Sequence, residues 1–202
     1  MVPALVVLAV VAVAGAAWWW RRRTRGIPQA EVDPFTLGEP WRRHVQGAVA
    51  AQRRYRDIVR DVQPGPLRDR LSAIGGQVEQ AVSECYAVGR DGEELDDALG
   101  RLDVASLDRQ LQRASDEVAR GSLTTQLAAA GRLRAARDDT DARLRLQVTR
   151  MGELVALAAE VSVGTDNTDV LGTGVTDVVT QLEGLRQALQ EVQQPGRPAT
   201  SP

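Results

Sequence analysis

The chain contains no lysine; all 25 basic residues are arginine. That skew reflects a GC-rich bacterial genome and carries no functional signal. It has a single cysteine, Cys85, so no intrachain disulfide can form, which agrees with a reducing compartment. It has a single histidine, His44, so no second histidine exists to share a metal ion or relay a proton. Aromatic residues are scarce: beyond Trp20 there are only Phe35, Trp41, Tyr55 and Tyr86. The core must then be built from Leu, Val and Ala, which suits helix-on-helix packing rather than a sheet. No strand pattern and no fixed-period repeat is visible.

What is present begins with an uncharged apolar run, Val2 to Trp20, closed by Trp18, Trp19 and Trp20 and followed at once by Arg21, Arg22, Arg23 and Arg25. Nineteen helical residues cover roughly 28 Å, close to the hydrocarbon thickness of a bilayer. Indole rings favour the headgroup boundary, and arginine is costly in hydrocarbon, so both mark the end of a span. The basic cluster follows the run, which predicts an external N-terminus and a cytoplasmic body at the cell membrane, with lipid contacted through residues 2–25. The rival is a cleaved signal peptide and a secreted helical protein, since Ala12-Val13-Ala14 and Ala14-Gly15-Ala16 have a small-x-small pattern. Signal peptides carry their positive charge before the apolar region, which favours the uncleaved anchor.

Without the four anchor arginines the chain has 21 basic and 27 acidic residues, a net of −6. A mildly acidic body excludes general nucleic-acid binding, which needs a basic patch to displace counterions.

The expected organisation is an anchor over 1–25, a linker over 26–38 punctuated by Gly26, Pro28, Pro34 and Gly38, a helical domain over 39–194, and a disordered tail over 195–202. Within the domain, Trp41, Val45, Ala48, Tyr55, Val59 and Val62 make one helical stripe that ends at Pro64-Gly65-Pro66. Leu67, Leu71, Ile74, Val78, Ala81, Cys85 and Val88 make a second, antiparallel to the first as a hairpin. Gly75-Gly76 within it suggests close backbone approach or a kink. A turn is expected over Gly89–Gly92, then a short amphipathic piece through Leu95, Leu99 and Leu102. Asp103 caps a helix from Val104 to Gly121, and Ser122 caps the next.

Residues 123–162 keep one helical register, with Arg134, Arg137 and Asp141 in its centre, so the helix is an exposed stalk, is paired with polar partners, or breaks. Gly164–Gly174 reads as a loop. Val175, Val178, Leu182, Leu185, Leu189 and Val192 then form the cleanest heptad seam, under three full heptads, which suits a bundle helix more than an autonomous coiled coil. The fold class is therefore all-α: an N-terminal transmembrane helix followed by an antiparallel helical bundle, or coiled-coil-like body, of four to five helices.

Chemistry is hard to find. His44 reads as an exposed structural histidine, and Cys85 as a buried inert thiol. A His44–Cys85 dyad is disfavoured by their differently oriented faces. Asp166, Asn167 and Asp169 lack the frame and closing glutamate of a calcium loop. Gly172-Thr173-Gly174 has no preceding strand and no following Gly-Lys-Ser/Thr. No catalytic residue, cofactor or metal is expected.

Asp33-Pro34-Phe35 through Glu39-Pro40-Trp41-Arg42, with Gly65-Pro66-Leu67-Arg68-Asp69-Arg70-Leu71, resembles uncharacterised single-pass membrane proteins of high-GC Gram-positive bacteria with a helical cytoplasmic domain. The resemblance spans most of the body and implies no activity. The layout alone is similar to that of cell-division regulators with one span and a helical cytoplasmic body. The expected function is a membrane-anchored scaffold or interaction protein that docks an unknown protein partner or a second copy of itself. Its candidate surfaces are the Val175–Val192 seam and the polar stretch from Arg134 to Asp141. The alternative is a binding module with a small-molecule pocket between helices, lined by the glycines of the second helix.

Overall fold

A computed structural model describes residues 32–164 and 167–193 of the chain. Every regular element among them is helical: a 3-10 turn at Pro34–Thr36, then α1 (Trp41–Asp61), α2 (Pro66–Arg101), α3 (Val104–Arg113), α4 (Glu117–Ser162) and α5 (Thr168–Gln193). Among the described residues no helix is long and apolar enough to cross a membrane. The apolar run and its interface residues Trp18, Trp19, Trp20, Arg21, Arg22, Arg23 and Arg25 lie outside the described residues, as does the tail over 195–202.

Local chemistry fixes the ends. Pro66 opens α2, where a missing N–H leaves no bond unmade, and Asp69 and Arg101 sit at the dipole ends that favour their charges. Asp103 stands in the left-handed region at φ 30° and accepts from the Ser106 amide at 3.1 Å, capping α3. Asp116 likewise accepts from the Ala119 amide at 3.0 Å and starts α4. Gly164, at φ 109°, follows the end of α4, a conformation that glycine adopts without strain.

α1, α2, α4 and α5 form the bundle. Tyr55 donates to the Leu71 carbonyl across the α1–α2 hairpin, and Trp41 reaches Asp96 at its other end, so the two are antiparallel. α4 returns alongside α1: His44 meets Asp141, and Gly47 lies against Val148. α5 runs beside α2, with Gln80 bonded to Glu183 and Arg186 to Glu84. The four helices converge where Tyr55, Val78, Met151, Val175 and Val178 surround a void of only about 10 Å³. Interiors of this kind are close-packed, which is what holds four low-aromatic helices together.

Several expectations need correction. Gly89–Gly92 is no turn; α2 runs through it unbroken. A Cβ on Gly92 would lie 2.6 Å from the Trp41 ring, and one on Gly89 would lie 3.1 Å from Leu37, so both glycines make room for fully buried side chains. Gly172 and Gly174 are likewise helical, because α5 begins at Thr168; a Cβ on Gly174 would stand 2.6 Å from Leu154. α3 stops at Arg113 and α4 starts at Glu117, so Val118 belongs to α4 and Ser122 caps nothing. Of the expected linker, residues 33–38 fold onto the body: Asp33 caps the 3-10 turn at 2.9 Å, Leu37 is buried, and the Gly38 amide donates to Glu93 at 2.8 Å.

Candidate functional site

The polar centre of α4 is paired. Asp96 of α2 accepts from the Trp41 indole at 2.7 Å and from Arg137 Nε at 3.0 Å. The Arg137 guanidinium stands 5.5 Å over the centroid of the Trp41 ring, a cation–π geometry, and also bonds Asp138 at 3.2 Å. One turn further, Asp141 Oδ1 lies 2.6 Å from His44 Nε2, and its other oxygen accepts from Arg145 at 2.9 Å. Three helices are thereby joined through the buried Trp41 indole, Asp96, Arg137, Asp141 and His44.

The electrostatics follow from that pairing. Burial alone would raise the Asp141 carboxyl, but the His44 bond and charge, with Arg145 and Arg137, hold it below its ordinary value. Burial would weaken the Arg137 charge, yet its bonds to Asp96 and Asp138 hold the guanidinium above its ordinary value. Burial pushes the Cys85 thiol up to about 12, aided by the neighbouring Glu84 charge, so the thiolate nucleophile is absent at neutral pH. Asp91 on α2 is pushed up to about 6, first by burial, against the lowering influence of Arg186.

His44 corrects its expectation. It is 6% exposed, because the α1 stripe is wide enough to turn it against α4, where Asp141 receives it. The sequence signal lay in Asp141 itself, an acid with Arg134 and Arg137 in the polar centre of the register; nothing in the sequence said which residue it would meet.

The seam on α5 is internal. Val175, Val178, Leu182, Leu185 and Leu189 are buried against this chain's own helices, and only Val192 is exposed, at 37%. That face is filled already and offers no surface to a partner. Arg137 and Asp141 are turned into the polar cluster, whereas Arg134, Ala135, Asp138 and Asp139 of the same stretch are exposed. Asn167 and Asp169 are exposed; Asp166 of the same group lies outside the described residues.

Two further features lie away from the polar cluster, and the first of them escaped the sequence reading. The first is a projecting hairpin: α3 packs on the first turns of α4, α3 has no buried residue, and the first buried residue of α4 is Ala130. Leu107, Leu111, Leu123 and Leu127 are only half-buried there, and Val118 is 80% exposed. The second is an open cleft of about 460 Å³ between α1 and the start of α2, with Gly75 and Gly76 in its lining. Among the described residues, no group of three or more His, Cys, Asp or Glu is placed to hold a metal ion.

No protein-family model matches the chain, and no curated protein or solved structure does.

Proposed function

We propose that this chain is a membrane-anchored docking protein whose contact element is the hairpin of α3 and the first three turns of α4. The observation that carries this reading is the contrast in burial. The bundle consumes the α5 seam internally, while the hairpin leaves four leucines half-covered and Val118 open to solvent. A two-helix unit buries only one side of each apolar stripe, and a helix or helix pair laid on the other side would complete it. The occupant is either a second copy of the hairpin or a helical segment of a cytoplasmic partner. Residues 2–25 act as the anchor in this reading, with the body on the cytoplasmic face, and the anchor raises local concentration in the plane of the membrane. The family resemblance supplies the same layout and no more.

Photo-crosslinking in cells tests the docking. A photoreactive residue in place of Val118 is expected to capture another polypeptide, whereas one in place of Val178 should capture none. Mass analysis of the product separates self-association from a partner. Equal silence at both positions, with a monomeric purified chain, would sink the reading. Topology is tested separately by a reporter fused after Pro202, which should be active in the cytoplasm; activity only outside would reverse the orientation.

A further inference from the structure

The first turns of α4 are exposed, yet nearly free of charge. Between Val118 and Gly131 the only charged residue is Arg120, and it stands in line with Leu127 on the side that meets α3. Neighbouring exposed surface wears charge: Asp108, Arg109 and Arg113 on α3, and Arg143, Arg145 and Glu153 further along α4. On the outer side, Glu117, Gly121, Thr125, Ala128 and Arg132 follow steps of four and three, so they form one line, with Val118 beside Glu117. All are exposed, Val118 at 80%.

The polar groups along this line are satisfied by the helix itself. Thr124 donates to the Arg120 carbonyl at 2.8 Å and Thr125 to the Gly121 carbonyl at 2.9 Å, which turns their hydroxyls onto the backbone and leaves their methyls outward. Gln126 donates to the Ser122 hydroxyl at 3.4 Å. A surface of this kind gives up few hydrogen bonds on leaving water, and its small side chains let a second helix approach closely.

The two ends of the line differ in sign. Glu117 closes one end and Arg132 the other, about 22 Å apart along the axis. Among the described residues, neither side chain takes part in an ion pair or a hydrogen bond. Acid at one end, base at the other and neutral residues between make a surface complementary to its own reverse. Laid antiparallel on a second copy, Glu117 comes level with the copy's Arg132, and Thr124 with its Thr125. Gly121 comes level with Ala128, a pairing that a methyl on Gly121 would not prevent. A two-fold axis makes each of these pairs twice. A parallel copy would instead set Glu117 on Glu117 and Arg132 on Arg132.

We propose, resting on the docking function given above, that the occupant of the hairpin is a second copy of this chain. The two copies are held through the outer face of α4 from Glu117 to Arg132, in antiparallel register.

Sedimentation of the full chain in nonionic detergent tests this. The parent should dimerise. Glu117→Arg should weaken the dimer about tenfold, because two modest pairs turn repulsive together, and Arg132→Glu should do the same. Both positions are exposed and too far apart on one helix to pair within a chain. Combined, the two changes restore the pairs with signs exchanged, and the dimer should return to within about twofold of the parent. Photo-crosslinking reads the register. A photoreactive residue in place of Val118 should join tryptic fragment 121–132 of the second copy, where a parallel pair would join fragment 114–120. A monomeric parent overturns the proposal, as do single variants with full affinity, a double variant no tighter than the single ones, or a crosslink to fragment 114–120. Capture of a different polypeptide at Val118 by a monomeric chain overturns it and leaves docking standing, whereas silence at Val118 removes both.

Discussion

α4 passes through two environments on one continuous backbone. Its later part, from Ala130 onward, presents Leu144, Met151, Ala158 and Val161 to α1, α2 and α5, and all four are buried. Its first turns hold no buried residue before Ala130. Both parts are regular helix, and the whole runs roughly 70 Å for 46 residues. What differs is how much apolar surface leaves water, and that is where stability comes from at about 25 cal/mol per Å². The bundle half is a core; the hairpin half is a projection with an open side. A helix in which one half holds the fold and the other half is exposed is suited to contact, because substitutions in the exposed half leave the bundle intact.

The largest expected difference between the halves comes from Trp41 against Val118. Trp41 is fully buried, fills the space left by Gly92 and Gly89, and donates to Asp96. Trp41→Ala should cost about 3–5 kcal/mol of unfolding free energy, with a large cavity and an Asp96 oxygen deprived of its donor. Val118→Ala should stay within about 0.5 kcal/mol of the parent. Denaturant titration measures both, and comparable losses would mean that the hairpin is packed as tightly as the bundle.

Next is the His44–Asp141 pair, one turn beyond the Arg137–Asp96 pair along α4. His44→Ala should cost about 1–3 kcal/mol, since Asp141 remains 15% exposed with Arg145 as its main partner. The pH dependence has a definite sign. The Asp141 carboxyl sits below its ordinary 3.8 in the folded chain, so its stabilisation is complete above that value and is lost as pH falls through the folded value. Asp141→Asn should flatten that acid limb in a series of unfolding curves, and an unchanged limb would place the titration elsewhere.

Asp91 acts in the opposite direction. Its carboxyl is raised to about 6, so near neutral pH the folded state holds a charge it disfavours. Stability should therefore rise as pH falls from 7 to 5, before other carboxylates reverse the trend. A shift of this size is worth roughly 3 kcal/mol for a fully buried group, and about 1–2 kcal/mol for one that solvent partly screens. Asp91→Asn should gain that amount at pH 7 and lose the slope; a variant less stable at pH 7 would show that the charged form is needed.

Much of this was legible from spacing. The stripes of α1 and α2, the short turn at Pro64-Gly65-Pro66 and the Asp103 cap all stand where the four-three rhythm put them, because amphipathic period and capping are local. The reversals occur at glycines. Gly89, Gly92, Gly172 and Gly174 look like punctuation in the sequence, yet all four lie inside helices; Trp41, Leu37 and Leu154 pack against three of them, and Ile74 stands beside Gly172. A glycine that turns the chain and a glycine that admits a neighbour are the same letter, and only the neighbour distinguishes them. The burial of His44 and the internal position of the α5 seam were hidden for the same reason: each depends on which helix lies opposite. The cleft between α1 and α2 was hidden as well, since Arg56 and Arg68 meet in one lining only when the hairpin closes.

That ambiguity yields the smallest and sharpest comparison. Gly92→Ala puts a Cβ 2.6 Å from a rigid indole, an overpacking cost of about 1–3 kcal/mol that exceeds the gain of about 1 kcal/mol in helix propensity. Gly121, in the first turns of α4, has open space where its Cβ would go, so Gly121→Ala keeps the propensity gain alone, up to about 1 kcal/mol. Gly174 falls between them, because its neighbour is the mobile end of a Leu154 side chain that can turn aside. Melting temperature should fall for Gly92→Ala, and amide exchange in the first turns of α4 should slow for Gly121→Ala. If Gly121→Ala instead speeds exchange in the purified chain, its position is already covered by another surface. With the monomer leaving that space empty, the covering surface would have to be a second copy, and the open side of the hairpin would be identified by the substitution it cannot tolerate.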